Sequence, residues 1–119
     1  MAAKKILFIV QSAPYGDEKT LTALRLAVAL TQQEPRPLLR FFFLSDGIVT
    51  ALSGQETADR MNLGEILSEI INTGAETRVC QTCVIARGLS NAVWLPGVSI
   101  GKMPELAQWT LDADQVLTF

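Results

Sequence analysis

The chain reads as an α/β domain built on a mainly parallel sheet of about five strands with helices on both faces. Three observations predict this. Short β-rich apolar runs alternate with segments of helical periodicity. The runs are continuously apolar rather than alternating, as in strands buried on both sides. The 119 residues suit a single domain, residues 1–119, able to bury a core without disulfide or metal staples.

The first strand is the run Ile6-Leu7-Phe8-Ile9-Val10, introduced by Lys4 and Lys5. A loop from Gln11 to Gly16 follows. A helix then opens near Asp17 or Glu18, whose charges suit the positive end of the helix dipole, and runs to about Gln33. Its apolar residues cover most of its circumference and leave Thr22 and Arg25 on a narrow polar stripe. Such a helix is expected to be central, or covered on two sides with a second subunit supplying one cover. Pro35 and Pro37 close the next turn, and Leu38 to Leu44 reads as the second strand, ended by Ser45-Asp46-Gly47. Residues 48–61 are mixed, with a helical turn near Ala51.

The clearest element is the next helix. Asn62 is placed to cap it, Glu65 completes a capping-box pattern, and Leu63, Ile66, Leu67, Ile70 and Ile71 share one face. Gly74 stands where a left-handed C-cap belongs. Glu76 to Val79 reads as a third strand running into Cys80. Residues 89–101 form an apolar loop with a short strand at 98–100. The last helix starts near Pro104, a residue favoured in the first turn, with Leu106, Trp109, Thr110 and Ala113 on one face. Val116 to Phe119 makes a final strand.

In open sheets of this kind ligands lie beyond the carboxyl ends of the strands. Three loops fall there: Pro14-Tyr15-Gly16, Ser45-Asp46-Gly47 and Cys80 to Gly88. The third holds the C-x-x-C pair Cys80 and Cys83. If a helical turn starts at Thr82, the Cα atoms of the pair fall within the roughly 4.4–6.8 Å that a disulfide needs. A thiol at a helix start faces unpaired N–H groups that favour the thiolate, and Arg87 adds positive charge. Cys80 is thereby a candidate nucleophile, with the packing of a small buried hydrophobe as the alternative reading of a free cysteine. Taken singly, Tyr15 and Trp109 read as packing residues, Asp46 as a turn residue and Gly88 as the pivot of a tight turn.

Composition excludes several functions. The chain has no histidine, which removes Ser/His and Cys/His catalysis, imidazole ligation of metals and a histidine pH switch. Two thiols alone do not make a zinc site, so no metal is expected unless a second subunit supplies ligands. The glycines form no phosphate-binding pattern, and no cofactor is expected. The net charge is -2 with Lys and Arg scattered along the chain, which argues against nucleic acid as a partner. No segment reaches the roughly 20 apolar residues of a membrane span, and no secretory signal core is seen. A cytoplasmic protein with reduced thiols is the expectation. Hydrophobic residues make up 49% and charged residues 18%, a balance that predicts surface lost to partner subunits.

Several of these segments together resemble the DsrE/DsrF-like family of small sulfur-relay proteins, its YchN-like branch above all. They are Ala13-Pro14-Tyr15-Gly16, Leu24-Arg25-Leu26-Ala27, Leu44-Ser45-Asp46, and Cys80-x-x-Cys83 with Arg87-Gly88. The tail Glu105-Leu106-Ala107-Gln108-Trp109-Thr110-Leu111, through Asp114 to Val116-Leu117-Thr118-Phe119, completes a match along essentially the whole chain. The resemblance implies a flavodoxin-like three-layer α/β/α sandwich assembled into homo-hexamers. It implies a persulfide carried on Cys80 and handed to a partner protein, with Pro14, Tyr15 and Asp46 lining the opening and Arg87 and Gly88 supporting it. Cys83 is typical of the YchN-like branch and is not shared by the sulfur-transferring members. The resemblance leaves open that a second thiol there resolves a persulfide by releasing sulfide and closing a disulfide. Three functions therefore compete: a sulfur carrier acting between donor and acceptor proteins, a dithiol redox protein, and a non-catalytic oligomeric binding module in which both cysteines serve packing.

Overall fold

The computed structural model describes residues 3–119. The elements in chain order are β1 (Lys5–Val10), α1 (Lys19–Thr31), β2 (Leu38–Phe43), a 3₁₀ segment (Ser45–Ala51) and α2 (Leu63–Asn72). They continue with β3 (Glu76–Cys80), α3 (Gln81–Ala86), β4 (Val98–Gly101), α4 (Met103–Asp112) and β5 (Gln115–Thr118). The sheet has five strands in the order β4-β3-β2-β1-β5, and every neighbouring pair is parallel. The predicted α/β class and parallel sheet are what the chain adopts.

The order dictates where the helices go. From β1 the chain steps through β2, β3 and β4 in one direction, so right-handed crossovers put α1, α2 and α3 on one face. The step from β4 back to β5 runs the other way and sends α4 to the opposite face. Packing agrees: Phe8, Phe41, Phe43 and Val79 share a core with Leu24 of α1 and Leu67 of α2. On the other face Leu7, Phe42 and Cys80 meet Leu106 and Trp109 of α4. The run Leu39-Arg40-Phe41-Phe42-Phe43 thus serves both layers by simple alternation. The larger core is organised around stacked rings, Phe8 on Phe41 with centroids 4.6 Å apart and Phe41 on Phe43 at 5.8 Å.

Local details depart from expectation for identifiable reasons. Helix α1 starts at Lys19, with the Asp17 carboxylate accepting the Lys19 N–H at 2.8 Å, and its last residues tighten into i→i−3 bonds from Gln32 and Gln33. The Asn62 side chain does not cap α2; its amide oxygen Oδ1 accepts the Thr57 N–H at 2.9 Å, tying down the preceding loop instead. The capping-type carboxylate is at α4, where Glu105 accepts the Lys102 N–H at 3.0 Å. Thr110 faces solvent and donates to the Leu106 carbonyl at 2.7 Å, so it is not on the packed face of α4. The turn expected near Ala51 is a 3₁₀ segment beginning directly after β2. It passes so close to the end of β1 that a Cβ on Gly47 would lie 2.4 Å from the Val10 carbonyl oxygen, which excludes any larger residue.

A cysteine pair at the switch point of the sheet

Adjacent parallel strands whose following helices depart to opposite faces leave a crevice between them. In this sheet that pair is β3 and β4: α3 leaves toward the large core, through Val84, and α4 toward the small one. A cavity of about 170 Å³ occupies the crevice. Cys80, Gln81 and Thr82 line it from the β3–α3 joint, and Gly101, Lys102 and Met103 from the β4–α4 joint.

Cys80 is the last residue of β3, in register with Gly101 of β4. Alternation turns its side chain to the α4 face, where it is 3% exposed. As the residue before α3 it also occupies the N-cap position. Burial works against a thiolate on Cys80, yet its thiol is held below the ordinary range. The Cys83 thiol, the Thr82 hydroxyl and the backbone N–H groups of Cys83 and Thr82 all donate to the sulfur and outweigh burial. The Thr82 Oγ1 lies 3.2 Å from the Cys80 Sγ.

Cys83 moves the other way. Burial pushes its thiol up, and the hydrogen bond it gives to Cys80 retains its proton. The Ser45 N–H, 3.2 Å from the Cys83 Sγ, and the charge of Arg87 pull in the opposite sense without prevailing. The pair is therefore biased, with Cys80 the thiol that ionises more readily and Cys83 the one that holds its proton, an arrangement able to attack a sulfur electrophile and to close a disulfide. Both cysteines are free thiols.

The surroundings of Cys83 are equally specific. Ser45 sits at φ 51°, a left-handed conformation uncommon outside glycine, which aims its N–H at the sulfur. Arg87 pairs through Nε with the Asp46 carboxylate at 3.0 Å and donates through Nη1 to the Cys83 carbonyl at 3.2 Å. This clamp joins the end of α3 to the 3₁₀ segment. Gly88 closes the turn that follows, its N–H donating to the Ile85 carbonyl at 3.0 Å.

The structure thus brings Cys80, Cys83, Asp46, Arg87 and Gly88 to one corner, with the Asp46–Arg87 pair beside Cys83. Pro14 and Tyr15 lie elsewhere. They line a cleft of about 360 Å³ between the N-terminal ends of α1 and α2, together with Leu21, Thr57 and Met61, and do not border the Cys80 cavity. Three features escaped sequence reasoning: the Thr82 hydroxyl, the Ser45 N–H and the wall formed by Gly101, Lys102 and Met103. The wall had a signal, because Gly101 ends a strand and Pro104 opens a helix, so the strand-end rule applies there as well. Among the described residues no three His, Cys, Asp or Glu side chains are grouped as a metal ion would require, and no helix is long and apolar enough to cross a membrane.

Comparison with known proteins agrees with this architecture. The model of the DsrE/DsrF-like family matches residues 4–119. The protein YchN of Escherichia coli is 41% identical over 116 residues, which cover 98% of this chain and 99% of that protein. An uncharacterised protein of Methanopyrus kandleri is 36% identical over 115 residues, covering 96% of this chain and 93% of its own. The crystal structure of the E. coli YchN protein superposes with a TM-score of 0.92 over 98% of this chain and 99% of that one. A protein of unknown function from Methanobacterium thermoautotrophicum shares the fold at 13% identity, with a TM-score of 0.80 and coverage of 98% and 99%. With a family match along almost its whole length and relatives well above 30% identity, the chain belongs to the DsrE/DsrF-like family.

Proposed function

We propose that this protein is a sulfur-relay protein that carries a persulfide on Cys80 and passes sulfur to a partner. The observation that carries this reading is the placement of the thiol pair: Cys80 lines the switch-point crevice with Thr82 Oγ1 3.2 Å from its sulfur, and Cys83 follows one helical turn later, with Cys80 the more readily ionised of the two. Membership of a family associated with sulfur relay supports it. In the loading step the Cys80 thiolate attacks the outer sulfur of a donor persulfide R–S–SH; the new S–S bond gives Cys80–S–SH, and R–S⁻ leaves with the electron pair of the broken bond. In the delivery step an acceptor thiolate attacks that outer sulfur and releases the Cys80 thiolate. The sulfur is passed on without net oxidation or reduction.

The relay is taken to work in the cytoplasm, as a homo-hexamer, with protein partners at its delivery step. Exposed Leu26, Ile85, Val93 and Leu111 offer surface for subunit or partner contacts. Incubation with a persulfide donor followed by intact-protein mass spectrometry tests the assignment. An adduct of about 32 Da is expected, lost in Cys80→Ser. Absence of the adduct, or its persistence in Cys80→Ser, overturns it.

A second reading is favoured by the position of Cys83, one helical turn after Cys80 and packed against the same small cluster. Once Cys80 bears a persulfide, a Cys83 thiolate attacking the inner sulfur expels HS⁻ and closes a Cys80–Cys83 disulfide. The protein then acts as a dithiol redox protein. Sulfide release coupled to disulfide formation, abolished by Cys83→Ser, selects this course over delivery to an acceptor.

A further inference from the structure

The crevice beside Cys80 has a size and a charge that bear on what loads it. Its volume of about 170 Å³ equals roughly five or six waters at ~30 Å³ each. It falls below the ~300–1,000 Å³ of pockets that enclose drug-sized ligands. A volume of this order is on the scale of a molecule the size of an amino acid. Among the described residues lining it, the one that carries a permanent charge is Lys102. Among the described residues no carboxylate pairs with the Lys102 ammonium. Glu105, the carboxylate at the start of the same helix, is engaged by Arg78 and by the Lys102 backbone N–H. The remaining lining is neutral: Gln81, Thr82, Gly101 and Met103.

We infer that this crevice binds a small anionic persulfide, a low-molecular-weight R–S–SH whose R group carries a carboxylate, with Lys102 as the residue that selects for its negative charge. The inference rests on the relay reading and names the donor for its loading step. The ammonium attracts the incoming anion, and Cys80, on the wall of the same crevice, meets the donor's outer sulfur as its thiolate. Cys80–S forms its bond to that sulfur, the R–S bond to it breaks, and R–S⁻ departs carrying its carboxylate. The persulfide then reaches one S–S bond, about 2.05 Å, farther toward the mouth. There a larger acceptor is able to meet it although the bare Cys80 sulfur is recessed.

Two measurements on the full chain test this. The first compares alkylation of Cys80 by iodoacetate and by iodoacetamide, which are alike in size and differ in charge, with the modified cysteine assigned by peptide mapping. In Lys102→Gln the iodoacetate-to-iodoacetamide rate ratio is expected to fall about three- to tenfold, as for a lost local attraction. It should fall further in Lys102→Glu and recover in Lys102→Arg, while the iodoacetamide rate stays within about twofold. The second compares loading by the persulfides of 3-mercaptopropionate and of its neutral amide. Faster loading by the carboxylate form, with the preference lost in Lys102→Gln, is the expected result. Equal loading by both donors, or a preference indifferent to Lys102, overturns the anionic-donor site and leaves the relay reading intact. Loading of Cys80 by neither small donor, but readily by a persulfidated protein, likewise overturns the inference alone. No loading from any persulfide overturns the relay reading itself, and the inference with it.

Discussion

The two faces of the sheet are built on different terms. The face covered by α1, α2 and α3 is a continuous apolar core in which Phe8, Phe41, Phe43, Leu24, Leu67 and Ile48 are fully buried. The opposite face has one helix, α4, and a small cluster of Leu7, Phe42, Cys80, Leu106 and Trp109. Charge rims that cluster. Arg40 and Arg78 lie over the Trp109 ring with guanidinium carbons 5.1 and 4.8 Å from its centroid. Arg40 also reaches Glu76 at 3.2 Å and Asp112 at 2.9 Å, and Arg78 reaches Glu105. The thick face holds the fold together. The thin one leaves a readily ionised thiol on a strand end with polar groups and an opening beside it. A site of this kind needs partial solvation, and a fully packed layer would remove it.

That division is open to direct attack. The largest stability loss is expected for Phe41→Ala, which empties the middle of the ring stack and costs about 3–5 kcal/mol in urea unfolding. Where the variant remains folded, the alkylation rate of Cys80 should be unchanged. Leu106→Ala on the thin face is expected to cost less, about 2 kcal/mol, because the rim is able to relax. It should accelerate Cys80 alkylation, since it removes part of the wall over the sulfur. If the two substitutions cost the same and neither alters Cys80, the division of labour is wrong.

Smaller effects fall on the thiol pair. In the native protein the pH midpoint of Cys80 alkylation is expected below the ~8.5 of an ordinary thiol, with Cys83 reacting only at higher pH. Cys83→Ala removes a donor to the thiolate. The midpoint should move up toward the ordinary value, so that less thiolate is present at neutral pH. The associated change in stability should stay near 1 kcal/mol, the net worth of one hydrogen bond. An unmoved midpoint would show that Cys83 does not hold Cys80 in its ionised form. Least of all is expected from Glu105→Gln, whose partner Arg78 is part-exposed: a loss under about 1 kcal/mol in thermal or urea unfolding.

Much of this molecule follows from the order of its residues alone. The apolar runs at Ile6 to Val10 and Leu38 to Leu44 are too continuous for a one-sided sheet, and their alternation with amphipathic helices leaves few architectures besides a parallel sheet covered on both faces. Cys80, at a strand end and leading a C-x-x-C turn in a chain without histidine, was equally legible, because strand ends and cysteine spacing are local properties. Caps were less so: Asn62 matches a capping pattern, but its side-chain Oδ1 answers Thr57 across a loop whose path depends on tertiary contacts.

What only the tertiary structure decided is which strand ends meet. Periodicity cannot assign strand order, so it could not reveal that β3 and β4 are neighbours whose helices part to opposite faces. The strand-end rule groups the Tyr15 loop with the cysteine loop, whereas Tyr15 lines a separate cleft with Leu21 and Leu63, and the rule leaves out Lys102 and Met103. Nor could it divide the protonation of two thiols that are chemically identical along the chain. That division comes from burial, from N–H groups aligned at the start of α3 and from a left-handed Ser45, all of which exist only once β2, β3 and α3 are packed together.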